Sequence, residues 1–231
     1  MYRERSEDLE ACPVCGDSLF GWVLATPTGT EEGPGRLIAR CETCGLGVNE
    51  QPPAPADPRL EADGRTVEVS GLERARSLPA ALTALAAELA PGRELAIRFA
   101  NRASLQASLG GPRWFELDAR SQRYLLAPGA LERLLPASDL EVARRRWLAG
   151  PSLLAMWQTA LNSLTFHRDF AAGLALRRPL GRKGMTYWLD LVISATAAIP
   201  VALLACPLEL AAAALGRGGV LELRARRRAA P

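Results

Sequence analysis

The sequence has few of the residues that mark several common functional classes. It contains one histidine, His167, and its net charge is only +3, from 28 basic and 25 acidic residues. So small a charge excess gives no broad reason to expect nucleic acid as a partner. Residues 1–15 contain no apolar stretch of the kind found in a secretory signal, which leads us to expect a cytoplasmic protein.

Cysteine is also scarce, yet four of the five cysteines fall into two pairs with the same spacing. In each pair two residues separate the cysteines. In a reducing compartment, two such pairs indicate a metal before they indicate disulfides, because four thiolates complete the tetrahedral shell of a structural zinc ion. We therefore predict one structural zinc site with the ligands Cys12, Cys15, Cys41 and Cys44.

Two other chemistries remain open for these pairs. A redox dithiol would need only one pair beside a strand–helix unit, and an iron–sulfur cluster usually has more closely spaced cysteines. The fifth cysteine, Cys206, lies within an apolar run and is most simply interpreted as a small buried hydrophobic residue.

The predicted zinc ribbon comprises residues 1–50. Glycine follows each cysteine pair, at Gly16 and Gly45, and glycine can adopt the left-handed backbone that such turns require. Two apolar stretches, at residues 19–24 and 37–39, are separated by a turn-rich segment and predict a β-hairpin between the pairs. Because this hairpin carries only two basic residues, nucleic-acid binding by the ribbon is the minor alternative.

Residues 51–64 hold four prolines and few apolar residues, which is typical of a semi-rigid linker. A second domain is predicted over residues 65–231. Strands there alternate with helical segments, which indicates an α/β fold. The predicted strands are 65–70, 94–99, 140–147 and 220–225, and the predicted helices are 79–89, 129–135, 151–164 and 186–215.

Several short motifs follow one another in this second half. They are Ser104-Leu105-Gln106, Arg113-Trp114-Phe115, Leu117-Asp118, Tyr124 and Leu215-Gly216-Arg217-Gly218-Gly219. In this order they resemble the class I S-adenosylmethionine-dependent methyltransferases, in particular a bacterial branch that carries an N-terminal zinc ribbon. The resemblance runs from about residue 65 to the last strand.

The resemblance also shows what the chain lacks. The family binds its cofactor on the first half of the sheet, through a glycine-rich turn and an acidic residue. Only the linker 51–64 stands at that place, and one strand–helix–strand unit alone takes about 30 residues. We therefore expect a truncated domain that binds no S-adenosylmethionine, has no catalytic activity and serves as a binding or companion subunit. An enzyme completed by another chain is the main alternative.

The catalytic residues are left unassigned. The family typically carries histidines near the fourth strand and around the Trp-Phe and Tyr motifs. At those positions this chain has Arg74, Glu116, Gln122 and Leu125. His167 lies outside the motifs, and a histidine without a recognisable partner is more often structural than catalytic.

The resemblance implies that four strands remain side by side, in the family order four, five, seven, six, with strand seven antiparallel. Polar residues interrupt the apolar pattern of each strand, at Glu68, Arg98, Arg145 and Glu222. This pattern predicts helices mainly on one face and a wet or partner-covered second face. Strand 65–70 would become a free edge, which favours a homodimer or a partner methyltransferase docked there.

Residues 191–208 contain no charged residue. The length of this uncharged segment is at the lower limit for a membrane span. Two prolines interrupt the segment, so a helix packed on the sheet is the preferred interpretation. A membrane span and shallow contact through residues 187–208 on the inner face of the membrane are the alternatives. Tyr187, Trp188 and the pair Arg177-Arg178 would then act as interfacial anchors.

Overall fold

The computed structural model describes residues 11–25, 35–177 and 184–228 of the chain and shows a mixed α/β protein with two sheets. Two parts of the predicted ribbon, residues 1–10 and 26–34, lie outside the described residues. The strands are β1 (Leu19–Ala25), β2 (Arg36–Cys41), β3 (Gly47–Asn49), β4 (Arg59–Asp63), β5 (Thr66–Ser70), β6 (Glu94–Ala100), β7 (Tyr124–Leu125), β8 (Leu140–Trp147) and β9 (Val220–Arg227). The helices are α1 (Leu78–Glu88), α2 (Leu105–Gly110), α3 (Pro128–Leu134), α4 (Ala149–Asn162), α5 (Phe170–Ala175) and α6 (Met185–Ala214).

The smaller sheet has the order β1-β2-β3-β7. β1 and β2 are antiparallel, with Leu19 opposite Cys41, which confirms the predicted hairpin. The fourth strand comes from the second half of the chain, since Val48 of β3 pairs with Tyr124 of β7. The ribbon sheet is therefore completed by residues far away in sequence.

The larger sheet has the order β4-β5-β6-β9-β8. β5 and β6 are parallel, and β9 runs antiparallel to both β6 and β8. Strands β5, β6, β9 and β8 thus lie side by side in the order and directions that the resemblance implies. The prediction of a free edge at residues 65–70 is wrong. β4 forms a hairpin with β5, with Arg59 opposite Ser70 and Asp63 opposite Thr66, and so occupies that edge with a strand of the same chain.

One face of this sheet is covered by helix α1. Val69, Leu95 and Leu223 of the sheet belong to the same buried cluster as Leu78 and Leu82 of α1. The helix begins where expected, because the side chain of Ser77 accepts a hydrogen bond from the N–H of Ala80 and Pro79 occupies the first turn.

The opposite face is polar, as the alternating pattern predicted. Arg98 contacts Glu68 at 2.8 Å and Glu222 at 3.0 Å, and Arg224 contacts Glu222 at 2.8 Å. The side chain of Glu222 is only 2% exposed. Burial alone would raise its pKa, but the hydrogen bonds and charges of Arg224 and Arg98 outweigh burial and hold the pKa of Glu222 below its ordinary value. Arg145 differs from the prediction, since it lies opposite Leu223 on the helix-covered side.

Helices α4 and α6 form a layer beyond the ends of the strands. They pack antiparallel, because the start of α4 lies near the end of α6: Ser152 and Glu209 both contact Gln106. α6 is one continuous helix of 30 residues despite Pro200 and Pro207 inside it. Cys206 is only partly buried there, in contrast to the prediction, because it faces an open groove rather than the core.

Candidate functional site

The four predicted zinc ligands lie together. All four sulfur atoms are within 4.8 Å of one another. Cys12 Sγ is 3.6 Å from Cys44 Sγ, and Cys15 Sγ is 3.4 Å from Cys41 Sγ. Four sulfurs placed about 2.3 Å from one tetrahedral ion are separated by about 3.8 Å. The cluster can therefore hold a metal ion such as zinc with little movement of the sulfurs.

Each cysteine pair lies on a tight turn that ends in glycine. The N–H of Gly16 donates to the carbonyl of Cys12 at 2.9 Å, and the N–H of Gly45 donates to that of Cys41 at 3.1 Å. Both glycines are left-handed, with φ of 73° at Gly16 and 79° at Gly45. Side chains other than glycine rarely adopt this backbone, which explains the glycine after each pair.

The surroundings of the sulfurs define what a bound ion can do. Burial raises the pKa of Cys12 to about 11 and also raises that of Cys44. A metal has to displace these protons, because the thiolate and not the thiol is the ligand. An ion bound by all four sulfurs would have no coordination position left for water.

The second half of the chain supports the cluster directly. Arg102, which follows β6, donates from Nε to the carbonyl of Gly45 at 2.9 Å. Its guanidinium lies 4.8 Å from the centre of the Trp22 ring. Burial and the nearby charge of Arg40 lower the pKa of Arg102 to about 10. Loss of the metal would therefore disturb contacts outside the ribbon as well.

Three of the four positions where the family resemblance expects histidine line one small cavity. Glu116, Gln122 and Leu125 surround a space of about 170 Å³, together with Glu73 and Tyr124. Burial, and to a lesser extent the charge of Asp169, raises the pKa of Glu116. The fourth position, Arg74, is exposed and does not line this cavity. Binding sites for small molecules usually enclose about 300–1,000 Å³, so this space is small for an organic ligand.

Three of the motifs that carry the resemblance meet in a buried polar network, through Gln106, Trp114 and Gly219. Gln106 Nε2 donates to Glu209 at 3.1 Å, and the indole N–H of Trp114 donates to Gln106 Oε1 at 3.3 Å. Glu209 also accepts from Trp147 at 3.3 Å and from the backbone N–H of Gly219 at 2.7 Å. A Cβ at Gly219 would lie 1.5 Å from Gln106 Nε2. These motifs therefore lock the sheet to the helical layer.

His167 has a structural partner. Its Nδ1 lies 2.7 Å from Oδ2 of Asp190, and the backbone N–H groups of Phe166 and His167 donate to the same carboxylate. Asp190 is fully buried. These bonds fix the loop after α4 to the first turns of α6. No sequence pattern marks this pair, nor Glu73 in the cavity, because their partners are distant in sequence.

Helix α6 is long and apolar enough to cross a membrane by length and composition, with a mean hydropathy of 2.2 over its most apolar window. Only 11% of that window is buried in the structure. The preferred interpretation of a helix packed on the sheet is therefore wrong for most of the surface of this helix. Of the predicted anchor pair Arg177-Arg178, Arg178 lies outside the described residues.

No protein-family model matches the chain, and neither the curated proteins nor the solved structures contain a significant match to it. The cysteine cluster and the mixed α/β architecture consequently rest on the structure itself.

Proposed function

We propose that the protein is a zinc-binding, non-catalytic binding protein built on a truncated methyltransferase-like sheet. The observation that carries the proposal is the position of β4. In a methyltransferase sheet the strand beside β5 would run parallel to it and end in the cofactor-binding turn. Here β4 runs antiparallel to β5. Arg59, its first residue, lies opposite Ser70 at the carboxyl end of β5, where a parallel strand would end.

The turn of this hairpin lies at the other end of the strands, beside the first residue of β5. It consists of Gly64 and Arg65, and Gly64 has a φ of 56°. The proline-rich segment 51–58 enters β4 where a glycine-rich turn would hold the cofactor. Within the described residues, β4 therefore occupies the position beside β5, and no parallel strand lies there to carry the cofactor turn.

The side-chain chemistry supports the same proposal. The histidine positions of the family are taken by residues that line a cavity of about 170 Å³ or are exposed. The single histidine is held by Asp190 in the helical layer. A zinc ion held by Cys12, Cys15, Cys41 and Cys44 would have a closed shell of sulfur ligands and would serve the fold alone.

Titration calorimetry of the zinc-loaded full chain with S-adenosylmethionine tests this proposal. We expect no heat of binding at millimolar cofactor. Dissociation constants in the micromolar range would overturn it and would favour an enzyme whose cofactor site is built in another way.

A further inference from the structure

Helix α6 is inverted relative to an ordinary surface helix. Its fully buried positions include Asp190 and Glu209. Its exposed positions include Ile199, Leu203 and Leu204, whose exposed fractions are 72%, 70% and 76%. A helix of a soluble protein normally turns its leucines to the core and its carboxylates to water. The outer surface of α6 is therefore suited to an apolar environment.

The apolar surface continues onto neighbouring elements. Leu154 of α4 and Leu109 of α2 are more than half exposed. An open groove of about 770 Å³ lies along one side of α6, where it meets Trp157 of α4, and a second of about 300 Å³ lies along the other side, against α2 and α4. We call this surface the apolar face, defined by Leu109, Leu154, Ile199, Leu203, Leu204 and Leu208.

In the sequence, charged residues flank the uncharged part of α6. No charged residue occurs between positions 191 and 208. Tyr187 and the half-exposed Trp188 lie in the first turn of α6, where aromatic residues suit a membrane interface. The sequence just before this turn carries Arg177, Arg178, Arg182 and Lys183. Such a basic segment is attracted to anionic lipid headgroups.

We propose that the apolar face is inserted into one leaflet of an anionic phospholipid membrane, with α6 lying in the membrane plane. A bilayer contacts both sides of α6 at once, as the two grooves require. A partner helix laid in one groove would leave the other groove open. The lipid leaflet is therefore the occupant that matches the extent of the exposed surface.

The anchoring of both helix ends argues against a span. Asp190 near the start is bonded to Phe166 and His167, and Glu209 near the end is bonded to Gln106 and Gly219. At 1.5 Å per residue these carboxylates are about 28 Å apart along the helix, nearly the thickness of a hydrocarbon core. Between them the indole N–H of Trp157 donates to the carbonyl of Ala198 at 2.9 Å. A spanning orientation would require the hydrogen bonds of Asp190 or those of Glu209 to the rest of the domain to break.

Flotation of the zinc-loaded full chain with vesicles of phosphatidylcholine and phosphatidylglycerol tests the membrane contact. We expect the wild type to float and the double variant Leu203→Glu/Leu204→Glu to lose at least about tenfold in binding, the factor given by one lost leucine burial. Leu24→Glu is the matched control, since Leu24 is 56% exposed on β1. It should float like the wild type. Wild-type protein that stays with the buffer, or that self-associates through Leu203 and Leu204 instead, would overturn the proposal.

A labelling experiment distinguishes the in-plane arrangement from a span. Met185 and Leu215 are exposed at the two ends of α6. In a Cys206→Ala background, Met185→Cys and Leu215→Cys should both react with a membrane-impermeant maleimide added outside the vesicles. The background protein without either cysteine measures any reaction of the zinc ligands. Protection of one end alone would contradict the in-plane arrangement.

Discussion

Substitution of one zinc ligand, Cys44→Ser, should destabilise the whole chain. Apparent binding free energies of structural zinc are about 10–16 kcal/mol, so an even share for each of four ligands is about 2.5–4 kcal/mol. For a chain of this size, about 2–4 °C is lost per kcal/mol, which predicts a melting temperature lowered by roughly 5–15 °C. The contact of Arg102 with the carbonyl of Gly45 should pass the effect to the larger sheet.

The assay is thermal unfolding by circular dichroism, together with elemental analysis of zinc. Cys206→Ser is the control, because Cys206 lies on α6 outside the cluster. It should retain one zinc per chain. A Cys44→Ser variant that keeps its zinc and unfolds at the wild-type temperature would show that the four sulfurs do not hold a structural metal.

Three further predictions concern the larger sheet and its polar network. Because the pKa of Glu222 is lowered, its ion cluster stabilises the fold above the ordinary carboxyl pKa and loses this effect as pH falls; Glu222→Gln should weaken the acid dependence of unfolding. Glu209→Ala removes the acceptor of the buried N–H of Gly219 and of the partly buried indole N–H of Trp147, whereas Gln106 keeps its bond to the carbonyl of Ser152; the variant should cost about 2–4 kcal/mol in urea unfolding. Gly219→Ala clashes with Gln106 and should cost about 1–3 kcal/mol, whereas Gly150→Ala, with open space around it, should be tolerated.

The parts of the fold that depend on local patterns could be predicted from the sequence. The two cysteine pairs, each followed by glycine, predict the turns at Gly16 and Gly45, because both signals lie within a few residues of the turn itself. Helix α1 was predicted within one residue of its bounds, because Pro79 marks its first turn and the Pro91-Gly92 pair follows its end.

The strands that lack an apolar pattern of their own could not be predicted. β4 reads Arg-Leu-Glu-Ala-Asp after a proline-rich segment, and all of its residues are exposed. Its strand conformation comes from pairing with β5 and not from its own apolar pattern. β7 has only two residues, and its strand conformation comes from its pairing with β3. Neither strand has a periodic signal of its own.

The orientation of α6 was beyond sequence patterns for a different reason. A helix that is apolar on all sides reads as a core helix, and periodicity cannot show which sides are covered. The buried carboxylates Asp190 and Glu209 decide the orientation, but their partners lie on other elements. The cavity at Glu116 was equally hidden, since its lining residues converge only in the folded chain.

X-ray absorption spectroscopy of the purified full chain tests the metal centre most directly. We predict one zinc per chain with four sulfur neighbours at about 2.3 Å and no nitrogen or oxygen ligand. Protein that binds no metal, or an ion with fewer than four sulfur ligands, would contradict the assignment of Cys12, Cys15, Cys41 and Cys44 as one closed structural site.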